Sequence, residues 1–456
     1  MSIPSDFFDT KGNFIPMRLV ELITGDELDN RLLTPITERG GDTMWHYKYD
    51  LGIYKPDGIA YVKKEAKRAL NKRSKKAHVN EVVFLALIDT YIQPKEFVED
   101  PNLIVVKNGV FHLDTRELTE HSHIYYAKAA LPITYDPDAK CPLFLKFLER
   151  VAPKYMEFLQ EWTGYHFLKD QRHQRFVILL GDRDNGKSTY LHVLNYLLGP
   201  ENVAHQNLHR LTTNRFAIAE LYGKLANIAA DIGPDEIKYT GALKIATGED
   251  IGTSEKKFKD PFDFMNYAKL TFSCNQLPKT PDETGAYHKR HLVLLFNVTI
   301  PLEEQDKTLK TKLTTPEELN GIFNWALEGL YRLLERGQFN EPTTIEERRS
   351  QYRRLSNPVL VFADDCIIED FEKWETKSDV YKAFAQHCKT NGFVPLSDSL
   401  FFKELKKYVY YNTAQKTIDK QRIRVLLGIQ LIGAAQGTHP AQGLYPKRIP
   451  EYSNKE

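Results

Sequence analysis

Residues 181–189 read Gly-Asp-Arg-Asp-Asn-Gly-Lys-Ser-Thr, and their types and spacing could hold the phosphates of a nucleotide. Gly181 and Gly186 let the backbone curl until successive N–H groups converge on an anion, with Asp184 and Asn185 inside the curl. Lys187 would reach the β- and γ-phosphates, and the Ser188 hydroxyl, with Thr189 beside it, would hold Mg²⁺. The pattern G-x-x-x-x-G-K-[ST] carries weight only between a strand and a helix. Here Phe176-Val177-Ile178-Leu179-Leu180 supplies a buried strand, and Tyr190 to Leu198 has apolar residues at helical spacing. The start of that helix would add its partial positive charge to the loop. The plain alternative is a glycine-rich turn before an ordinary helix.

Hydrolysis of a bound nucleotide needs an acid near the metal, at the end of a second buried strand. Leu225-Ala226-Asn227-Ile228-Ala229-Ala230-Asp231 ends in such a carboxylate, and Asp235 and Glu236 compete with Asp231 for the role. A third strand, Ala268 to Cys274, ends at Asn275, which could sense the γ-phosphate and bond the lytic water, or simply open a turn. Arg290 precedes the apolar run Leu292 to Phe296. It could stabilise charge in a neighbouring subunit's site or cap a strand on the surface, and spacing does not choose between these. Between the acid and Asn275 lies Glu255-Lys256-Lys257-Phe258-Lys259-Asp260-Pro261-Phe262-Asp263-Phe264. Lysines interleaved with aromatics suit single-stranded nucleic acid, charge for phosphates and rings for sugars or bases. A solvated hairpin is the bland reading of the same segment.

These residues need elements to position them. A chain of 456 residues exceeds one hydrophobic core and predicts about three domains. A hydrophobic content of 42% with 27% charged residues is that of a globular protein, and no apolar run reaches the ~20 residues of a membrane span. The four cysteines, Cys141, Cys274, Cys366 and Cys388, are scattered, with neither zinc-ligand spacing nor a disulfide framework, so a reducing, cytoplasmic setting is expected. A net charge of +1 leaves any DNA contact to local patches, such as the basic run Lys63 to Lys76, which reads equally as a solvated helix face. Tyr47 to Tyr61 reads as strands and turns, Leu103 to Phe111 as a hairpin turning on Asn108-Gly109, and Pro142 to Phe167 as helical. From Arg175 to Phe296 strands alternate with helical patterns, as in an α/β nucleotide-binding core. Pro301 to Glu346 is helical. Beyond Ser356, a helix (Lys377 to Thr390), a Gly392 turn, a helix (Ser397 to Val409) and the strand-like Arg422 to Leu427 predict a winged-helix module, with Asp364-Asp365 and Glu369-Asp370 read as linker acids. The tail after Ile432 reads as loose.

In order, the segments GDRDNGKST, AELYGKLANIAADI, ATGEDIGTSEKKFKDPFDF, AKLTFSCNQLP and YHKRHLVLLF resemble the superfamily-3 helicase core. The likeness is to the helicase part of phage and plasmid primase-helicases, to which the poxvirus primase-helicase is related. It extends upstream through NGVFHLDTRELTEHS and downstream to DVYKAFAQHCKTNGFVPLSDSLFFKEL, and so covers most of the chain.

The resemblance implies an AAA+-type phosphate-loop ATPase core of α/β class at 151–300, preceded by an α+β collar at 1–150. A helical lid at 301–355, a winged helix at 356–435 and a tail at 436–456 would follow. It implies ATP and Mg²⁺ on Gly181, Asp184, Asn185, Gly186, Lys187, Ser188 and Thr189, Asp231 as metal-site acid, Asn275 as polar sensor and Arg290 as a trans-acting arginine. Lys256, Lys257, Phe258 and Lys259 would grip DNA in a central channel. Such proteins form hexameric rings that translocate on single-stranded DNA, typically 3′ to 5′. The chain is thus expected to be a replicative DNA helicase of a plasmid, phage or virus, acting on single-stranded and forked DNA inside the host cell or at viral replication sites, with a primase or polymerase as partner. The alternative is a DNA-binding ATPase switch that loads without unwinding. Two departures stand out. Ala230-Asp231 offers one acid where many superfamily-3 proteins have two, and no primase half is recognisable, which fits a stand-alone helicase or the helicase part of a longer polypeptide.

Overall fold

The structure, a computed structural model, describes residues 7–25, 31–35, 43–233, 235–257, 260–280, 285–341, 344–391, 393–418 and 421–432. Phe258, Lys259, Gly392 and the tail 436–456 lie outside them. The chain divides into two compact units, 1–349 and 350–456.

The first unit is built on a five-stranded sheet in the order His291–Leu295, Phe176–Leu180, Lys269–Cys274, Ala226–Ala229, Val203–Ala204. Every neighbouring pair is parallel. The strands Phe176–Leu180, Ala226–Ala229 and Lys269–Cys274 are buried at every position, the unbroken apolar signature of a sheet covered on both faces. Leu180 is in register with both Cys274 and Leu295, so these strands end level and the phosphate loop leaves the sheet at that edge.

One core joins this sheet to the helices around it, with Val177 and Leu179 in the same cluster as Tyr190, Leu194, Trp162, Phe323 and Leu330. The predicted helical run from Pro142 is two helices, Pro142–Val151 and Met156–Tyr165, parted by a 3-10 turn at Pro153–Tyr155. Pro153 lacks an N–H and cannot continue the first helix. The long helix Pro316–Arg336 starts on Thr315, whose hydroxyl accepts from the Glu318 N–H. It crosses Met156–Tyr165 so closely that a Cβ on Gly164 would stand 2.2 Å from the Ala326 oxygen, and one on Gly329 2.6 Å from the Gln160 oxygen. The buried Glu161 carboxylate ties the crossing, accepting from Arg332 at 3.1 Å, from the Asn340 N–H at 3.0 Å and from Arg336.

Upstream, the helices Pro16–Thr24, Gly58–Leu70 and Lys76–Asp89 share a core of Leu19, Val20, Val62, Ala66, Val82 and Ala86. On Gly58–Leu70, Lys63, Lys64, Lys67 and Arg68 are exposed opposite the buried Val62 and Ala66, the solvated face of an amphipathic helix. The hairpin Leu103–Val106 with Gly109–His112 forms as the Asn108-Gly109 pair predicts.

The second unit runs helix Pro358–Cys366, strand Ile367–Thr376, helix Lys377–Thr390, helix Asp398–Leu405, then strands Asn412–Ile418 and Gln421–Leu431. The sheet places Gln421–Leu431 between the other two. Phe362, Val380, Phe384, Phe401, Leu426 and Ile429 form its core. Two sequence readings are corrected here. Asp364 and Asp365 are helical and held by Arg354, at 2.8 and 3.2 Å, while Glu369 and Asp370 belong to a strand, so neither pair lies in a linker. The helix expected to reach Val409 ends at Leu405, and the expected strand is longer, Gln421–Leu431.

Candidate functional site

The loop after Phe176–Leu180 turns through two left-handed residues, Asp184 (φ 57) and Gly186 (φ 89), before the helix Lys187–Leu198 begins. At Gly186 a Cβ would also stand 2.8 Å from Val151 Cγ1, so the residue answers both a backbone and a space requirement. Asn185 is buried and pins the curl, its Nδ2 donating to the Phe296 oxygen at 2.7 Å.

Lys187 is 6% exposed. Its Nζ donates to the Gly181 and Asp182 oxygens, both at 2.6 Å, and to Asn185 Oδ1 at 3.0 Å. Burial lowers its pKa, opposed by Cys274, Asp182 and Asp231. A desolvated ammonium resting on neutral carbonyls, at the mouth of a curled loop and a helix N-terminus, is a donor set that fits the phosphates of a nucleotide. Ser188 is exposed on the first helical turn, and Thr189 is partly buried behind it.

Asp231 follows the strand Ala226–Ala229 in a left-handed conformation (φ 56) and is exposed. The next N–H, from Ile232, donates to the Ser273 oxygen at 3.0 Å, which binds this turn to the end of Lys269–Cys274. Asn275 leaves the same strand end exposed, one residue after Cys274, whose oxygen accepts from the Gly181 N–H at 3.2 Å. Gly181, Lys187, Asp231 and Asn275 therefore converge on one edge of the sheet. Asp235 and Glu236 are exposed further along, where the Asp235 oxygen accepts from His209 at 2.9 Å. Cys274 is buried and its thiol is pushed up to about 12, mainly by burial.

Arg290 is elsewhere. It immediately precedes His291, which is in register with Phe176 at the opposite end of the sheet. A five-residue strand separates it from the loop, roughly 15 Å at ~3.3 Å per residue. Its Nη2 donates to Gln174 Oε1 at 3.1 Å, and burial, then Arg175, lowers its pKa. Gln174 (φ 50) is a partner that sequence reading missed; a lone glutamine before a strand gives no signal.

The lysine-rich segment is a hairpin, Ile251–Ser254 antiparallel to Phe262–Met265, with Lys256 and Lys257 on the connection. Phe262 and Phe264 stack with centroids 5.5 Å apart, and Tyr222 meets their edges at 5.2 and 5.4 Å. The Lys256 ammonium lies 5.8 Å from both the Tyr222 and Phe262 rings. Tyr222 comes from another part of the chain, and only the fold reveals its place.

The fold is that of a mixed α/β protein built on a parallel sheet. Comparison with known proteins makes this narrower. Residues 30–153 match the family described as D5 N terminal like, residues 354–426 the Poxvirus D5 protein-like family, and residues 179–290 a family of unknown function, DUF5906. "Putative helicase L207/L206" of Acanthamoeba polyphaga mimivirus is 23% identical over 400 residues, covering 80% of this chain and 41% of that protein. "Putative helicase 121R" of Invertebrate iridescent virus 3 is 22% identical over 349 residues, covering 67% and 37%. The chain thus spans about two fifths of the length of these relatives. The apo structure of the NrS-1 C terminal region (305-718) shares the fold at a TM-score of 0.50 and 13% identity, over 91% of this chain and 99% of that one. Its N-terminal and C-terminal segments are thus similar to D5-type proteins, and its viral relatives carry the name putative helicase. No helix among the described residues is long and apolar enough to cross a membrane.

Proposed function

We propose that the chain is an ATP-dependent DNA helicase of viral or other mobile-element replication, working as a hexameric ring of identical subunits that moves 3′ to 5′ along single-stranded DNA. One observation carries this reading. Lys187, Asp231 and Asn275 sit at the carboxyl ends of the strands while Arg290, beside Phe176 at the start of the strand that leads into the loop, sits at the opposite end of the sheet. A chain built this way has its phosphate loop on one side and a guanidinium for a neighbour's loop on the opposite side, which is what a closed head-to-tail ring requires.

In this reading the parallel sheet is an AAA+-type core, residues 1–150 form a collar, 301–355 a lid and 356–435 a winged helix. ATP would supply the driving reaction and Mg²⁺ would neutralise phosphate charge, held by Ser188 and Asp231. Lys187 exchanges its backbone carbonyls for phosphate oxygens, and the curl Gly181–Gly186 presents its N–H groups with Asp184, Asn185 and Thr189 as its walls. Asp231 and Asn275 orient the attacking water. Arg290 of the adjacent subunit spreads the developing charge. Lys256 and Lys257, together with Phe258 and Lys259, hold a DNA strand in the channel, and a primase or polymerase joins the assembly at the fork. The direct test is ATP hydrolysis with and without a single-stranded oligonucleotide. Hydrolysis stimulated by the strand and abolished by Lys187→Ala is expected; hydrolysis that survives Lys187→Ala would end the reading.

A further inference from the structure

The unit 350–456 carries a concentration of positive charge that the nucleotide site does not use. The strand Gln421–Leu431 pairs with Asn412–Ile418 so that Leu426, Arg424 and Arg422 stand opposite Thr413, Gln415 and Thr417. Alternate residues of a strand share a face, so these three lie on one side. Leu426 is buried in the core, and Arg424 and Arg422 continue its face outward, where both are exposed. They emerge beside the first turns of the helix Lys377–Thr390, and strand and helix enclose an open groove of about 550 Å³.

Four cations line this groove, Lys377, Lys382, Arg422 and Arg424, against the single carboxylate of Asp398. That carboxylate is already taken by Lys377 at 2.7 Å, and Lys377 lies over the Phe402 ring at 4.5 Å. Lys382 has Asp379 of its own helix 3.6 Å away, both side chains well exposed, a pair of little energetic weight. Among the described residues no carboxylate pairs with Arg422 or Arg424. Tyr381 closes one wall, its hydroxyl spent on the Leu396 oxygen at 2.9 Å.

Two guanidiniums without a carboxylate partner, beside the weakly paired Lys382, repel each other, and such an arrangement is stable in company with an anion. Two guanidiniums two residues apart on one strand face, with Gln415 and Thr417 across the ladder, present forked donors repeated along a line. A series of phosphates along one strand fits that line better than a single compact anion. We propose that this groove holds the phosphate backbone of a nucleic acid, as a contact separate from the phosphate loop and from the Lys256–Lys257 hairpin. The inference rests on reading the chain as an enzyme that works on DNA.

The test uses the full chain, a labelled single-stranded oligonucleotide and the matching duplex, titrated over a range of salt. Arg422→Gln/Arg424→Gln should weaken binding about tenfold and flatten the salt slope by about two, one for each guanidinium removed. Arg422→Lys/Arg424→Lys should keep the slope, and hydrolysis of ATP without DNA should be unchanged in both. A loss seen with only one probe supports the groove and assigns it to that form of DNA. Unchanged affinity and slope with both probes overturns the groove while leaving the helicase reading intact. A native chain that binds neither probe overturns both.

Discussion

Lys187 and Arg290 are both cations short of solvent, and each donates to neutral oxygen. For Lys187 those oxygens belong to its own loop, and an incoming phosphate would replace neutral acceptors by charged ones. Arg290 is held by Gln174, at the far end of the strand Phe176–Leu180 from its own loop. Arg290→Ala should therefore lower ATP hydrolysis by about 10³-fold or more while nucleotide affinity is largely kept. Mixed with Lys187→Ala subunits, it should regain activity, since some interfaces then pair an intact loop with an intact arginine. If mixing restores nothing, Arg290 acts within its own subunit or in folding. The curled loop between a strand and a helix was legible because Gly, Lys and Ser recur there at fixed spacing. Gln174 and Tyr222 were not, because their neighbours are distant in the chain.

Among the elements, the helix crossing of Met156–Tyr165 with Pro316–Arg336 decides how firmly the sheet is backed. Gly164→Ala would drive a methyl group into the Ala326 backbone and against Leu330 Cβ at 2.8 Å. A loss of about 1–3 kcal/mol in denaturant unfolding is expected; native stability would contradict the packing described for this crossing. The hairpin makes a different prediction. Lys256→Ala/Lys257→Ala should weaken single-stranded DNA binding and reduce its salt slope by about two, leaving ATP binding unchanged. An unchanged slope would remove the hairpin from the DNA path. Buried parallel strands such as Phe176–Leu180 were legible as apolar runs bounded by loop residues. The strands Ile367–Thr376 and Asn412–Ile418 were not. Both flank Gln421–Leu431 at the sheet edges, and their largely exposed residues carry charges and amides instead of an apolar period. That is why the acids Glu369 and Asp370 read as a linker.

For the whole molecule, buried imidazoles link stability to pH. Burial holds His166 down to about 3, with Lys269 adding to the effect, and holds His291 down to about 3, with His288 adding to it. The unfolded chain protonates both near the ordinary value of ~6.5, so below that pH it binds more protons than the native state. Stability is therefore lost as pH falls from about 6.5 toward 3, at up to about 1.4 kcal/mol per pH unit for each imidazole. The thermal midpoint should be lower at pH 5.5 than at pH 7.5, and a midpoint that rises on acidification would contradict the burial of these rings. At this scale the proposed helicase function requires copies of the chain to act together on DNA, with hydrolysis between them moving a strand. A forked duplex with one labelled strand, incubated with the chain, ATP and Mg²⁺, measures this directly. Displacement that requires ATP and disappears in Lys187→Ala is the predicted result; DNA-stimulated hydrolysis without displacement would show a DNA-bound ATPase switch and contradict the helicase assignment.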